Sequence, residues 1–192
     1  MHLSWASAGR VGAIVLVSFL LQVSGLGQLR LLGGSFDLIP LAVAAVAYYS
    51  GSLPGAVTGF SAGLLLGAGL GQALGAAALV LAALGYAVGR YREIRDPAHG
   101  LAPIAVAAAS TFAYLLVTAT VSFMLGFEGA VSPLLIRETF LTVLLNSLLA
   151  MPVFWIVAKT LRGVLDDDPF VRRRRRARPI EAGPIGLRGL DV

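Results

Sequence analysis

The chain contains no cysteine, which excludes disulfides, thiolate metal sites and cysteine nucleophiles. Histidine is nearly as scarce: only His2 and His99 occur, too few to assemble a zinc constellation. Charge is thin. Only 13% of the 192 residues are Asp, Glu, Lys or Arg, against about 25% in a soluble globular domain. From Leu38 to Gly89 no residue is charged at all. Catalytic signatures are missing as well: there is no Ser/His/Asp set, no GxxxxGK phosphate loop, no Glu-x-x-His and no close carboxylate pair within an apolar run. The expectation is a protein that is not an enzyme and carries no cofactor or metal.

What is present is apolar. Hydrophobic residues make up 57% of the chain and the mean hydropathy is +0.84, which predicts an all-α integral membrane protein. A membrane-crossing helix needs about 20 apolar residues. The apolar runs and their Gly/Pro/Ser breakers predict about six transmembrane helices, near 11–29, 36–50, 54–68, 71–89, 101–127 and 139–161. The breakers are Leu32 to Ser35, Ser50 to Pro54 and Gly67 to Gly71, the last of which also fits a re-entrant pair. The run from Val11 to Leu29 exceeds the 7–15 residues of a signal-peptide core, so it reads as a retained first span. Residues 1–161 form the predicted transmembrane domain. Residues 162–192 are a basic tail too short and too polar to bury a core, and are expected to be disordered.

Positive charge orients these spans. With six crossings and a cytoplasmic N-terminus, 13 Lys and Arg residues fall inside and only Arg30 and Arg137 outside. Both termini are therefore expected in the cytoplasm of a bacterial cell whose plasma membrane holds the protein.

Glycine recurs at every fourth position from Gly51 to Gly75. In lipid, helices associate through close backbone approach, and small-xxx-small spacing permits it. A repeat of four overshoots the helical repeat by about 40° per step, so the ladder is expected to divide. Gly51 belongs to a turn, Gly55, Gly59 and Gly63 to a packing face for a neighbouring or partner helix, Gly67 to Gly71 to a second turn, and Gly75 to the next helix. A homodimer through such a face stays open.

Four further features are candidates. Asp37, the one acid adjoining the apolar block, reads as the N-cap of the second helix, with Pro40 in its first turn. The competing reading is an intramembrane carboxylate, but no second acid or histidine lies within the spans to continue a relay. Thr111, Tyr114, Thr118 and Ser122 form a polar stripe that should face another helix or a cavity. In the last helix Asn146 reads as an interhelical hydrogen-bonding group, Pro152 as a kink and Trp155 as packing or an interfacial anchor. Arg172, Arg173, Arg174, Arg175, Arg176 and Arg178 are placed to lie on anionic lipid, each contributing up to about 1 kcal/mol. Nucleic acid is disfavoured because no aromatic residues interleave this run.

The segments Asp37 to Pro40, Tyr49 to Ala56, Gly59 to Leu66, Gly85 to Arg90 and Leu144 to Val153 resemble, in order and spacing, the MreD family of rod shape-determining proteins. The resemblance covers about Asp37 to Leu161. One departure stands out: Gly67 follows the Gly-Leu-Leu-Leu run where the family often has an aspartate. The resemblance implies a non-catalytic subunit of the bacterial cell-elongation complex, involved in cell shape and control of peptidoglycan synthesis. It implies a fold similar to the substrate-binding components of energy-coupling-factor transporters. Implied partners are the bitopic protein MreC and, through it, RodA, a class B penicillin-binding protein and often the MreB filament. The alternative is a substrate-binding subunit of a vitamin uptake transporter, which would need polar groups converging near the external side. Asp37, Gln72, Glu128, Arg137 and Glu138 are the candidates for that pocket.

Overall fold

A computed structural model describes residues 5–25, 33–70, 74–94, 102–124, 126 and 133–165. Among these residues there are six helices and no strand: α1 (Trp5–Val23), α2 (Leu38–Ser50), α3 (Ser52–Leu70), α4 (Leu74–Ile94), α5 (Ala102–Met124) and α6 (Pro133–Leu165). Stretches within three of them, Ser52–Gly69, Ala102–Met124 and Ile136–Leu161, are long and apolar enough to cross a membrane. The apolar parts of α1 and α2 are shorter.

The sequence of α2 explains its position. From Leu38 to Ala47 it carries no polar side chain, so no face of it is suited to water, and a helix apolar all round belongs inside. Ten of its 13 residues are buried, and it packs against every other helix. The outer helices close a ring around it in the order α1, α3, α4, α5, α6 and back to α1. At 13 residues α2 is about 20 Å long, short of the ~30 Å hydrocarbon core, but its surroundings are protein rather than lipid.

The outside of the ring is apolar, and the few buried polar groups lie within a core that also holds Leu41, Leu81, Phe154 and Leu161. Leu16, Leu20, Val57, Phe60, Phe112, Leu116, Phe140, Leu148 and Trp155 are exposed, whereas Ala44, Ala45, Ala47, Ala78, Ala107, Thr111 and Asn146 are fully buried. Such a distribution suits a protein whose surroundings are hydrocarbon. Exposed hydroxyls within the helices are turned back on their own backbone: Ser61, Thr120 and Thr160 donate to the carbonyls of Val57, Leu116 and Ile156. Each donor is thereby satisfied within its own helix.

Several boundaries differ from those the sequence predicts. The first helix ends at Val23, not Leu29: Ser24 donates the last i→i−4 bond, to the Leu20 carbonyl, and Gly25 then takes φ +130, which breaks the helical path. Its start moves back correspondingly, to Trp5. No turn starts at Gly67: the α3 helix continues through Leu70, since an apolar helix shielded by neighbours tolerates glycine in its last turn. The expected Gly67–Gly71 turn or re-entrant pair thus reduces to whatever lies past Leu70, outside the described residues. The α4 helix runs on past Gly89 to Ile94, and α6 begins six residues before Thr139 and continues unbroken through Pro152. The turn between α2 and α3 shrinks to Gly51 alone, whose φ of 96° and ψ of −177° are open essentially only to glycine.

Candidate functional site

Three constructions position the chemically distinctive residues. The first is the α3–α4 hairpin. From the turn at Gly51, Gly55, Gly59 and Gly63 ascend α3 while Gly89, Gly85, Leu81 and Ala78 descend α4 opposite them, in one antiparallel register. A Cβ on Gly55 would sit 2.6 Å from both the Ala47 Cβ and the Gly85 carbonyl oxygen. On Gly59 it would overlap the Leu81 carbonyl group, and on Gly63 the backbone of Ala77 and Ala78. Glycine is required because backbone meets backbone there. Positions four apart form an inclined row on a helix surface, so two such rows pack when the helices cross at an angle. The drift that seemed to divide the ladder is absorbed by that inclination, and Gly51 serves both as turn and as packing residue. The Gly55, Gly59 and Gly63 face is filled by α4 of the same chain. Gly75, by contrast, has nothing within 4 Å of a Cβ.

The second construction is a polar clamp at the head of α2. Asp37 stands at the N-cap position as expected, but its carboxylate makes no capping hydrogen bond. The side chain of Gln22 on α1 does the capping instead: its Oε1 accepts from the Ile39 N–H at 2.9 Å while its Nε2 donates to Asp37 Oδ1 at 3.4 Å. Asn146 holds the other side. Its Oδ1 accepts from the Asp37 N–H at 3.2 Å, and its Nδ2 donates to the Asp37 carbonyl at 3.3 Å and to Thr111 Oγ1 at 3.3 Å. Thr142 accepts from the Ser35 N–H at 3.1 Å. Four elements, α1, α5, α6 and the approach to α2, are thus tied at one point. Of the α5 stripe, Thr111 and Tyr114 are buried, while Thr118 and Ser122 are half-buried.

The third lies at the opposite end. Glu93 accepts from both the backbone N–H and the hydroxyl of Ser52, each at 2.8 Å, capping α3 from the last turn of α4. Arg90 pairs with the same carboxylate at 3.2 Å. These hydrogen bonds, led by the Ser52 N–H, hold the Glu93 carboxyl below its ordinary value. Nearby, Tyr48, Tyr49 and Phe154 stack edge to face at 5.1–6.1 Å, with the Arg92 guanidinium 5.3 Å above the Tyr48 ring. Trp155 is exposed, with Lys159 Nζ 5.0 Å from its ring centroid. Arg10 of α1 donates to the Thr160 carbonyl. Arg172 to Arg176 and Arg178 lie outside the described residues, as do Gln72 and Glu128.

Sequence reasoning missed Gln22, Thr142 and Glu93. Gln22 carried a usable signal, being one of the few polar side chains within the first apolar run. Gly85 and Gly89 carried another, a second pair at the same spacing of four as the ladder. Fold and site together define a helical membrane protein whose central helix is clamped at its head and enclosed by a ring. Comparison with protein-family models, curated proteins and solved structures finds no match.

Proposed function

We propose that the chain is a non-catalytic scaffold subunit of the bacterial cell-elongation complex, as its resemblance to the MreD family implies, with an MreC-like bitopic protein as its direct partner. The observation that carries the scaffold reading is the state of the interior. Every buried side-chain nitrogen and oxygen among the described residues has a hydrogen-bond partner within the chain. The clamp groups are spent on one another, as in a device that fixes helix positions. A carrier would keep converging polar groups available to its ligand.

Six crossings with both termini cytoplasmic belong to the same proposal, on a scaffold similar to the substrate-binding components of energy-coupling-factor transporters. Arg10, Arg90, Arg92 and Lys159 gather at one end of the bundle, and Arg137 sits toward the other, beside Glu138, whose Cγ is near Gly33. That asymmetry supports the orientation. Partner contacts fall outside the glycine face, which α4 covers. In cells, Gly59→Leu should wedge the α3–α4 hairpin apart and sharply reduce co-purification of the MreC-like protein; recovery at the wild-type level would count against the proposal.

A further inference from the structure

Arg10 and Lys159 differ from the other described cations at their end of the bundle. Arg90 has Glu93, and Arg92 lies over Tyr48. Arg10 and Lys159 have no carboxylate within ion-pair distance among the described residues; the contacts they make are with neutral groups, the Thr160 carbonyl and the Trp155 ring. Both side chains are exposed, and they come from different helices that meet here, since Arg10 contacts the residue next to Lys159.

The setting is that of a membrane interface. Trp155 stands 59% exposed one turn below Lys159, as an interfacial indole does. Along the same two helices Leu16 and Val17 of α1 and Ile156 of α6 are all about half exposed. The join between α1 and α6 is also the slimmest in the ring. A guanidinium and an ammonium above a shallow apolar seam complement a molecule with a negative head and hydrocarbon tails.

We infer that the α1–α6 seam is a binding site for an anionic phospholipid, its phosphate held between Arg10 and Lys159 and its acyl chains along Leu16, Val17 and Ile156. Arg10 supplies the planar donor fork and Lys159 a mobile point charge. Trp155 sets the depth of the headgroup. The site is built from α1 and α6 and does not depend on membership of the elongation complex, only on the ring meeting lipid.

The test is native mass spectrometry of the full chain, released from nanodiscs holding equal phosphatidylglycerol and phosphatidylcholine. Wild type should retain phosphatidylglycerol preferentially. Each charge near a membrane surface weighs about fivefold, so Arg10→Gln with Lys159→Gln should reduce the preference about 25-fold, and Lys159→Gln alone about fivefold. Arg10→Lys should keep most of it, and Arg137→Gln at the far end should change nothing. The single Lys159→Gln variant, altering one exposed side chain, keeps the test decisive if the double variant does not fold. Undiminished preference in Lys159→Gln would overturn the site. So would a preference abolished by glutamine at Arg172 to Arg176 and Arg178 alone, which would assign the lipid to the tail. Complete competition by soluble glycerol phosphate would also overturn it, by showing a free-phosphate site.

Discussion

Asn146 grips the backbone of Asp37 with both ends of its amide and reaches Thr111 as well. Interhelical hydrogen bonds in membrane proteins average only ~0.6 kcal/mol, because the unfolded state also finds partners. Here the loss is larger, since a truncated side chain leaves the N–H of Asp37 unpaired at the head of a buried helix. An unsatisfied buried group costs about 1–3 kcal/mol. Asn146→Ala should therefore destabilise the protein by roughly that amount, read as a lower midpoint in detergent unfolding, and Gln22→Ala by somewhat less. Glu93 gives a pH signature. Its folded-state value is depressed, so its contribution is fully present above the unfolded value of ~4.3 and is lost as pH falls through the lower folded value. The group is substantially exposed, so solvent screening keeps its weight under about 1 kcal/mol. Comparing unfolding midpoints of wild type and Glu93→Gln from pH 7 to pH 3 should reveal a small gap that closes below about pH 4. A gap that widens with acid would contradict the assignment.

At the level of elements, the α3–α4 hairpin and the clamped α2 rest on different physics. The hairpin depends on missing side chains, and the clamp on hydrogen bonds. Gly59→Ala already drives a Cβ into the Leu81 carbonyl group, and overpacking of this kind typically costs about 1–3 kcal/mol; Gly59→Leu should exceed that. Gly75→Ala, in open space, should be neutral or stabilising by up to about 1 kcal/mol. Thermal unfolding of the pair in one detergent separates the two, and equal effects would refute the packing account. Much of this was legible in the sequence. Six apolar runs became six helices, the ladder marked the tight face, and Asn146 and Thr111 turned inward. What was not legible has a common cause: it depends on contacts between distant residues. The Gln22 cap replaces a local one that Asp37 could have made, a choice set by how α1 packs on α2. The end of α1 was misread because Gly25 terminates a run whose hydropathy continues. The continuation of α3 through Gly67 and Gly69 was hidden because glycine signals a turn in water but not against a neighbouring helix such as α1, where Phe19 lies on Gly69.

For the whole molecule, the ring around α2 makes one body whose charged residues divide between two ends, and that division predicts its sidedness. The natural absence of cysteine makes single-cysteine labelling direct. In intact cells a membrane-impermeant maleimide should label Glu138→Cys and leave Gly9→Cys untouched, with the reverse in inverted vesicles; labelling of both from one side would refute an even number of crossings. The segments on which the proposed MreD-like role rests, at the head of α2, the α2–α3 joint, the glycine face, the end of α4 and the middle of α6, are also parts that hold the ring together. On the proposed scaffold role, partner binding is the activity to look for. The most direct test is to purify the tagged wild-type chain from bacterial membranes in mild detergent and analyse both proteins and small molecules by mass spectrometry. The scaffold account predicts an MreC-like protein and elongation synthases at near-stoichiometric levels with no bound metabolite. A vitamin-like molecule at near one per chain, without those proteins, would contradict it.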